Sequence, residues 1–152
     1  SKRMCDRHTL QPRRHRIKLA GITLIELMIV VVIVAVLAAI AVPNFREFSA
    51  RATRTEAKAA LLQVATNQER VYLQSNSYTT DMSRLGFSNA GCNDTESGTY
   101  KVCVTAADAD SFNAVATYSK ADAEASKCLT FQIDGRGTKT SGPHSDCWTR
   151  TR

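Results

Sequence analysis

One nearly uninterrupted apolar segment constrains this chain more than any other feature. Residues 22–42 read ITLIELMIVVVIVAVLAAIAV, in which only Thr23 and Glu26 are polar. A helix of this length, rising about 1.5 Å per residue, is about 31 Å long and matches a hydrocarbon layer about 30 Å thick. We therefore predict a transmembrane helix over residues 22–42. A carboxylate at the centre of such a helix costs about 2.5–3.5 kcal/mol, so Glu26, although nearer one end, still calls for a partner.

The excess positive charge of the chain is confined to the segment before this helix. The sequence has 20 Lys and Arg and 14 Asp and Glu, and its formal net charge is +6. Residues 1–21 hold seven of the basic residues and one acid, so residues 22–152 keep 13 of each sign (20 less 7, and 14 less 1). By the positive-inside rule, the basic flank stays cytoplasmic. The neutral remainder has no overall attraction to nucleic acid, which we do not expect as a partner.

Three interpretations fit a basic tail followed by an apolar run. A cleavable secretory signal would use the small residues of the string AIA at 39–41, although its core would exceed the usual length of roughly 7–15 residues. A plain membrane anchor fits the length and the flanks but leaves Glu26 unexplained. The third interpretation rests on the residues around Gly21.

The string GITLIEL at residues 21–27 resembles the class III signal of type IV prepilins and of type II secretion pseudopilins. The resemblance implies that a prepilin peptidase cuts between Gly21 and Ile22 and methylates the new N-terminus of Ile22. It also implies that Glu26, with Thr23 beside it, serves subunit assembly by pairing with the N-terminal amine of a neighbouring subunit. The family usually has Phe where this chain has Ile22, and its leaders are often shorter.

Pro43 breaks the helical pattern at the end of the apolar run. Because proline lacks the backbone donor and clashes with the preceding turn, we predict a kink at Pro43, with a simple helix stop as the alternative. Residues 44–75 contain no Gly or Pro and are rich in strong helix formers, which favours a helix that resumes. We predict that its apolar face packs on a sheet. That face carries Ala57, Leu61, Val64, Ala65 and Tyr72, and the other faces carry Arg54, Lys58 and Glu69.

The C-terminal half is typical of a loop followed by strands. Residues 76–99 are polar and rich in turn residues, so we predict a connecting loop. Strand-like runs follow at Tyr100–Thr105, Phe112–Tyr118 and Cys128–Ile133, and Thr138–Thr140 is a candidate edge strand. Their apolar faces would cover the helix, which predicts an α+β fold with a small antiparallel sheet of three to four strands.

Four cysteines follow the predicted helix, and a fifth lies in the basic tail. An even set in a small exported domain indicates two disulfide bonds and an oxidising compartment. The most economical pairing joins Cys92 to Cys103 and Cys128 to Cys147, although four cysteines permit three connectivities. A disulfide-bounded C-terminal loop is common in type IV pilins, so the resemblance supports this choice. Alternation along their strands places Cys103 and Cys128 on the face away from the helix.

The remaining candidates for metal or catalytic chemistry are weak. A zinc site would use Cys128, His144 and Cys147, whose spacing is irregular and whose exported context favours oxidation. Asp108 and Asp110 are two carboxylates on a short turn, too few for a calcium site. The sequence has no nucleophile–base arrangement and no phosphate-binding glycine loop. We therefore expect neither an enzyme nor a bound metal or cofactor.

The resemblance extends beyond the signal. The strings EAKAALLQVATNQERVY, NSYTTDMSRLGF and CLTFQIDGRGTKTSG are similar to minor pilins of the PilE type. The likeness implies a cleaved basic leader over 1–21, a transmembrane and filament-core helix over 22–42, an amphipathic helical half over 43–75, and a connecting loop and sheet over 76–152. It implies roles in pilus assembly, twitching motility and attachment. Expected partners are major and minor pilins, the prepilin peptidase and the inner-membrane pilus assembly machinery.

The same resemblance implies a location. The subunit is expected to cross the inner membrane of a Gram-negative bacterium once, with its C-terminal part in the periplasm, and then to join an extracellular pilus. A major pilin and a type II secretion pseudopilin are alternatives with the same architecture. A DNA-uptake pilin is a further alternative, which the neutral charge of residues 22–152 disfavours, although Arg150 and Arg152 would form a local basic tip.

Overall fold

The computed structural model describes residues 20–150, which form one long α-helix followed by a five-stranded antiparallel sheet. The helix, α1, spans Leu24–Ser75. The strands are β1 (Asn93–Asp94), β2 (Tyr100–Ala107), β3 (Phe112–Tyr118), β4 (Cys128–Asp134) and β5 (Lys139–Pro143). They lie in the sheet in chain order, and each pairs with the next in antiparallel register. The predicted α+β class is confirmed, and the sheet gains the two-residue strand β1, which was not predicted.

Helix α1 starts close to its predicted position and continues through its proline. The hydroxyl oxygen of Thr23 accepts a hydrogen bond of 3.2 Å from the backbone N–H of Glu26, so Thr23 caps the helix. Pro43 lies inside the helix, which confirms that the helix resumes, and the alternative of a helix stop is wrong. The kink at Pro43 stays a prediction. Nearly all of the leader predicted over 1–21 lies outside the described residues.

The chain divides into two units, one up to Ala39 and one from Ile40 onward, and the second holds the core. One face of α1 and one face of the sheet bury their apolar side chains together, as predicted. The helix contributes Ala57, Leu61, Val64 and Val71, and the strands contribute Tyr100, Val102, Phe112, Ala114, Ala116, Tyr118, Phe131 and Ile133. Ala65 and Tyr72, which were predicted on this helix face, lie half-buried at its margin.

Two polar residues belong to the buried face of α1. Arg54, predicted on another face, is only 5% exposed, so that prediction is wrong. It lies three residues before Ala57 on the same stripe, and an acidic partner described below compensates its charge. Gln68 is fully buried; its side-chain amide donates to the carbonyl of Thr79 at 2.6 Å and accepts from the N–H of Thr79 at 3.0 Å. Both buried polar groups of Gln68 are thereby satisfied.

The segment predicted as a connecting loop, residues 76–99, is partly built into the core. A 3₁₀ turn at Met82–Leu85 buries both of its apolar end residues completely. Asp81 caps this turn, and Gly86 ends it with φ of 89°, a backbone conformation that favours glycine. The side chain of Asn67 on α1 donates to the carbonyl of Leu85 at 2.6 Å. Helix and loop are therefore joined by hydrogen bonds as well as by apolar contact.

Two disulfide bonds, Cys92–Cys103 and Cys128–Cys147, are present among residues 20–150, which is the pairing expected from the sequence. Cys128, however, is fully buried in the core. It pairs with Pro143 of β5 while Thr130 pairs with Gly142, so one residue of β4 is extra at this point. This β-bulge reverses the alternation of side chains. The prediction that Cys128 points away from the helix is therefore wrong.

The two disulfide bonds differ in a way that unfolding can measure. We expect Cys128→Ala/Cys147→Ala to lower the free energy of unfolding by about 3 kcal/mol through the loss of the chain-entropy effect. The loss of buried sulfur atoms adds a further destabilisation, because both cysteines are fully buried. The matched pair Cys92→Ala/Cys103→Ala opens a shorter loop, and Cys92 is exposed, so its loss is smaller. Urea unfolding of the full chain in neutral detergent, followed by Trp148 fluorescence, compares them. Equal losses would contradict the core position of Cys128.

Candidate functional site

The N-terminal part of α1, in the first unit, exposes a long apolar surface. Every large apolar side chain from Leu24 to Leu37 is between 49% and 76% exposed. Burying one such side chain is worth about 1.5–3 kcal/mol, so a surface of this size requires lipid or protein around it. Among the described residues, α1 is the one helix long and apolar enough to cross a membrane. This surface is therefore suited to contact with a bilayer or with another protein surface.

Glu26 is the single ionisable residue of this apolar segment. Its backbone N–H is used by the helix cap on Thr23, but within residues 20–150 no group forms a hydrogen bond or ion pair with its carboxylate. A carboxylate in apolar surroundings is tolerated only when it is paired and hydrogen-bonded. A partner, if Glu26 is desolvated, would have to come from another molecule or from outside the described residues.

The predicted processing site precedes α1. Gly21 has open space on all sides where a side chain would lie, and Ile22 is 72% exposed. Neither residue belongs to the helix, which begins at Leu24. The peptide bond between them is therefore exposed and outside regular secondary structure. The geometry is compatible with cleavage between Gly21 and Ile22, which stays a prediction.

The second unit carries a groove of about 770 Å³ between the start of its helical part and the rim of the sheet. The helical wall includes Val42, Pro43, Phe45, Arg46, Glu47, Ser49, Ala50 and Thr53. The opposite wall consists of Thr99, Tyr118, Lys120, Asp122, Ala123, Glu124 and Lys127. Both apolar and charged side chains therefore line the groove.

A buried ion pair borders this groove, because one of its members, Glu124, belongs to the wall on the sheet side. Both guanidinium N–H positions of Arg54 facing Glu124 donate to its carboxylate, one of them at 2.8 Å, and both side chains are under 10% exposed. The hydrogen bond to Glu124 raises the pKa of Arg54. Such a bidentate pair is directional as well as strong. The ion pair links α1 to the 3₁₀ turn Ala123–Ser126. No periodic pattern in the sequence predicts this contact.

A second polar contact holds the same 3₁₀ turn. Asp122 caps the turn by accepting from the backbone N–H of Glu124 at 3.0 Å, and it accepts from the hydroxyl of Tyr118 at 2.8 Å. Burial and the bond to Asp122 raise the pKa of Tyr118 to about 12. The arrangement positions Glu124 for Arg54. It contains no nucleophile–base pair and serves a structural purpose.

The weaker sequence candidates have local structural roles. Cys128 and Cys147 are bonded to each other, so neither is a thiolate for the zinc site considered with His144. The carboxylate of Asp108 accepts from the backbone N–H groups of Asp110 and Ser111, both at 2.8 Å. These hydrogen bonds hold the pKa of Asp108 below its usual range. Asp108 therefore shapes the turn between β2 and β3.

Of the two residues predicted to form a basic tip at the C-terminus, Arg150 belongs to the described residues. Arg150 is half-buried, and its guanidinium lies 4.0 Å from the carboxylate of Asp146. Arg152 lies outside the described residues. Arg136 and Lys139 are exposed cations of the C-terminal region, and the ammonium group of Lys139 lies 5.4 Å from the ring centre of Trp148.

Comparison with known proteins accounts for both units. The family model described as "Prokaryotic N-terminal methylation motif" matches residues 18–42. The family model described as "Type IV minor pilin ComP, DNA uptake sequence receptor" matches residues 43–132, more than half of the chain. The first match covers the apolar segment and the processing site. The second covers the amphipathic part of α1 and most of the sheet.

Three curated relatives are similar over less than half of this chain. The type IV major pilin protein PilA of Myxococcus xanthus is 46% identical over 67 residues, which are 44% of this chain and 30% of that protein. The type IV wide pilus major component PilA4 of Thermus thermophilus is 42% identical over 65 residues, 43% of this chain and 50% of that protein. A fimbrial protein of Pseudomonas aeruginosa is 44% identical over 54 residues, 36% of this chain and 35% of that protein. The chain spans at most half the length of these relatives.

The fold and the comparisons agree on one class of protein. The apolar helix with its single carboxylate coincides with the methylation motif, and the second family match covers the amphipathic part of α1 and most of the disulfide-linked sheet. This chain is a type IV pilin subunit and belongs to the ComP minor pilin family.

Proposed function

We propose that this chain is a minor subunit of a type IV pilus, which takes part in pilus assembly, twitching motility and attachment. The family consists of structural pilins and is not a family of enzymes. A prepilin signal and an apolar N-terminal helix fit a membrane-anchored pilus subunit that assembles with other pilins after processing. The minor role is supported by the family description, whereas two of the relatives are named as major components.

One observation carries the proposal: an exposed apolar helix bears, near its N-terminus, a single carboxylate that has no partner among residues 20–150. In our proposal the prepilin peptidase cuts between Gly21 and Ile22 and methylates Ile22. The apolar helix first lies in the inner membrane, with the sheet in the periplasm of a Gram-negative cell. It then moves into the filament core, where the N-terminal amine of a neighbouring subunit pairs with Glu26. Thr23, which caps the helix, supports this arrangement.

Mass spectrometry of fibres sheared from the cell surface tests the proposal. We expect a mature chain that starts with methylated Ile22 and is present in small amounts beside a more abundant pilin. A chain that dominates the fibre mass would instead identify a major pilin. Its absence from fibres, together with a secretion defect and normal twitching in a deletion strain, would identify a pseudopilin.

DNA uptake is a second candidate function, favoured by one specific observation. The matching family is described as a DNA uptake sequence receptor, and it covers residues 43–132. Because residues 22–152 are neutral overall, binding would have to rely on local cations such as Arg136 and Lys139.

If the chain binds DNA, the affinity should fall steeply with salt, and Arg136→Gln/Lys139→Gln should reduce the salt slope by about 2. Fluorescence anisotropy of labelled duplex DNA at several salt concentrations measures this. No salt-dependent binding would exclude the DNA role.

A further inference from the structure

We propose that the groove of the second unit binds the headgroup of an anionic phospholipid of the anchoring membrane. This inference rests on the proposed membrane-anchored precursor. Val42 and Pro43 lie in the helical wall of the groove and mark the end of the apolar segment 22–42. When that segment spans the bilayer, these two residues lie at the membrane surface. The wall of the groove is then within reach of lipid headgroups.

Three cations of the groove have no ion-pair partner in the part of the chain that the structure describes. Arg46, Lys120 and Lys127 are all exposed, and none of their side chains forms an ion pair with any group among residues 20–150. Arg46 lies on the helical wall, and the two lysines lie on the opposite wall. An anion between the walls would therefore be met from both sides.

The acidic residues of the groove are already engaged. Glu124 is bound to the guanidinium of Arg54. Glu47 accepts a hydrogen bond of 2.7 Å from Arg51. Asp122 accepts from a tyrosine hydroxyl and caps a 3₁₀ turn. Asp122 keeps its charge, but with Arg51 and Arg54 included five cations stand against three carboxylates, a net charge of +2 that is complementary to a phosphodiester.

The remaining lining suits the part of a lipid next to its phosphate. Val42, Pro43, Phe45 and Ala50 give the helical wall an apolar strip, on which Phe45 is 70% exposed. The volume of about 770 Å³ lies in the range of small-molecule sites, roughly 300–1,000 Å³. A second copy of the chain is a poorer occupant, because its residues 22–152 are neutral and bring no excess of negative charge.

Photolabelling of the full chain in vesicles tests this site. The vesicles consist of phosphatidylcholine with a small fraction of phosphatidylglycerol that carries a photoactivatable headgroup. Labelling within residues 118–127 decides the question, because this wall belongs to the sheet side, whereas the basic tail and α1 also meet lipid. We expect Lys120→Gln/Lys127→Gln to lower labelling of this wall at least tenfold. The matched pair Arg136→Gln/Lys139→Gln, which changes charge equally outside the groove, should leave it unchanged.

Several results would overturn the inference. Equal labelling by a phosphatidylcholine probe, or an equal loss in both variant pairs, would show that the groove does not select an anionic lipid. Crosslinks between two copies that are lost in Lys120→Gln/Lys127→Gln, without labelling by lipid, would assign the groove to a neighbouring subunit. Recovery of the chain from sheared fibres is a separate measurement. Normal recovery with no labelling would therefore overturn this inference alone and leave the proposed function intact.

Discussion

Replacing Glu26 by leucine should leave the subunit in the membrane but remove most of it from the pilus. The substitution deletes the single charge of an exposed apolar helix, so membrane insertion becomes easier. The same change removes the group that, in our proposal, pairs with the N-terminal amine of a neighbour. Because breaking a desolvated ion pair costs about 3–5 kcal/mol, we expect incorporation into sheared fibres to fall at least tenfold. Quantitative mass spectrometry of fibres and membranes gives both amounts.

Matched variants separate the charge of Glu26 from its size. Glu26→Gln keeps the shape and loses the charge, so it should fail like the leucine variant, whereas Glu26→Asp should retain partial incorporation. Val31→Leu alters the same apolar surface without touching a charge and should assemble normally. A methylated Ile22 N-terminus in the membrane fraction would show that processing is intact in each variant. Normal incorporation of Glu26→Leu would refute the pairing.

The second prediction with a large expected effect concerns the buried ion pair between Arg54 and Glu124. We expect Glu124→Ala to lower the free energy of unfolding by about 3 kcal/mol, because the guanidinium of Arg54 would stay buried without its partner. This value is the lower end of the usual range, since Glu124 borders an open groove. Urea unfolding of the full chain in neutral detergent, followed by the fluorescence of the single tryptophan, measures the loss.

The double variant Arg54→Met/Glu124→Leu is the control for that experiment. It replaces both charges by apolar groups of similar size and should recover most of the lost stability. Glu96→Ala, which removes an exposed acid, should cost no more than about 0.5 kcal/mol. If Glu124→Ala were as mild as Glu96→Ala, the ion pair would not be holding α1 to the 3₁₀ turn.

Features that depend on local pattern could be predicted from the sequence. The start and end of α1 agree closely with the prediction because the apolar run and the helix-forming segment 44–75 contain strong local signals. Strand β3 has the predicted bounds, and its alternating residues Phe112, Ala114, Ala116 and Tyr118 are buried as expected. A period of two residues needs no knowledge of distant neighbours.

Features that depend on distant partners escaped the prediction. A charged residue on a buried stripe is read as solvent-facing unless its partner is known, and Glu124 lies 70 positions from Arg54. The loop at 76–99 was predicted from its polar composition. In the structure, Gln68 and Asn67 on α1 form hydrogen bonds with its backbone, and Met82 of the loop is buried in the core. Polar loop residues and helix amides gave no local signal that they would meet.

The sequence by itself therefore determined that a membrane-length helix with one carboxylate continues into an amphipathic half and is followed by a small disulfide-linked sheet. Apolar length, helical period and an even cysteine set are properties of neighbouring residues, so they can be read without coordinates. The tertiary structure alone decided that Arg54 and Cys128 point inward. In the first case a partner far along the chain compensates the buried charge, and in the second a bulge in β4 shifts every side chain before it to the opposite face.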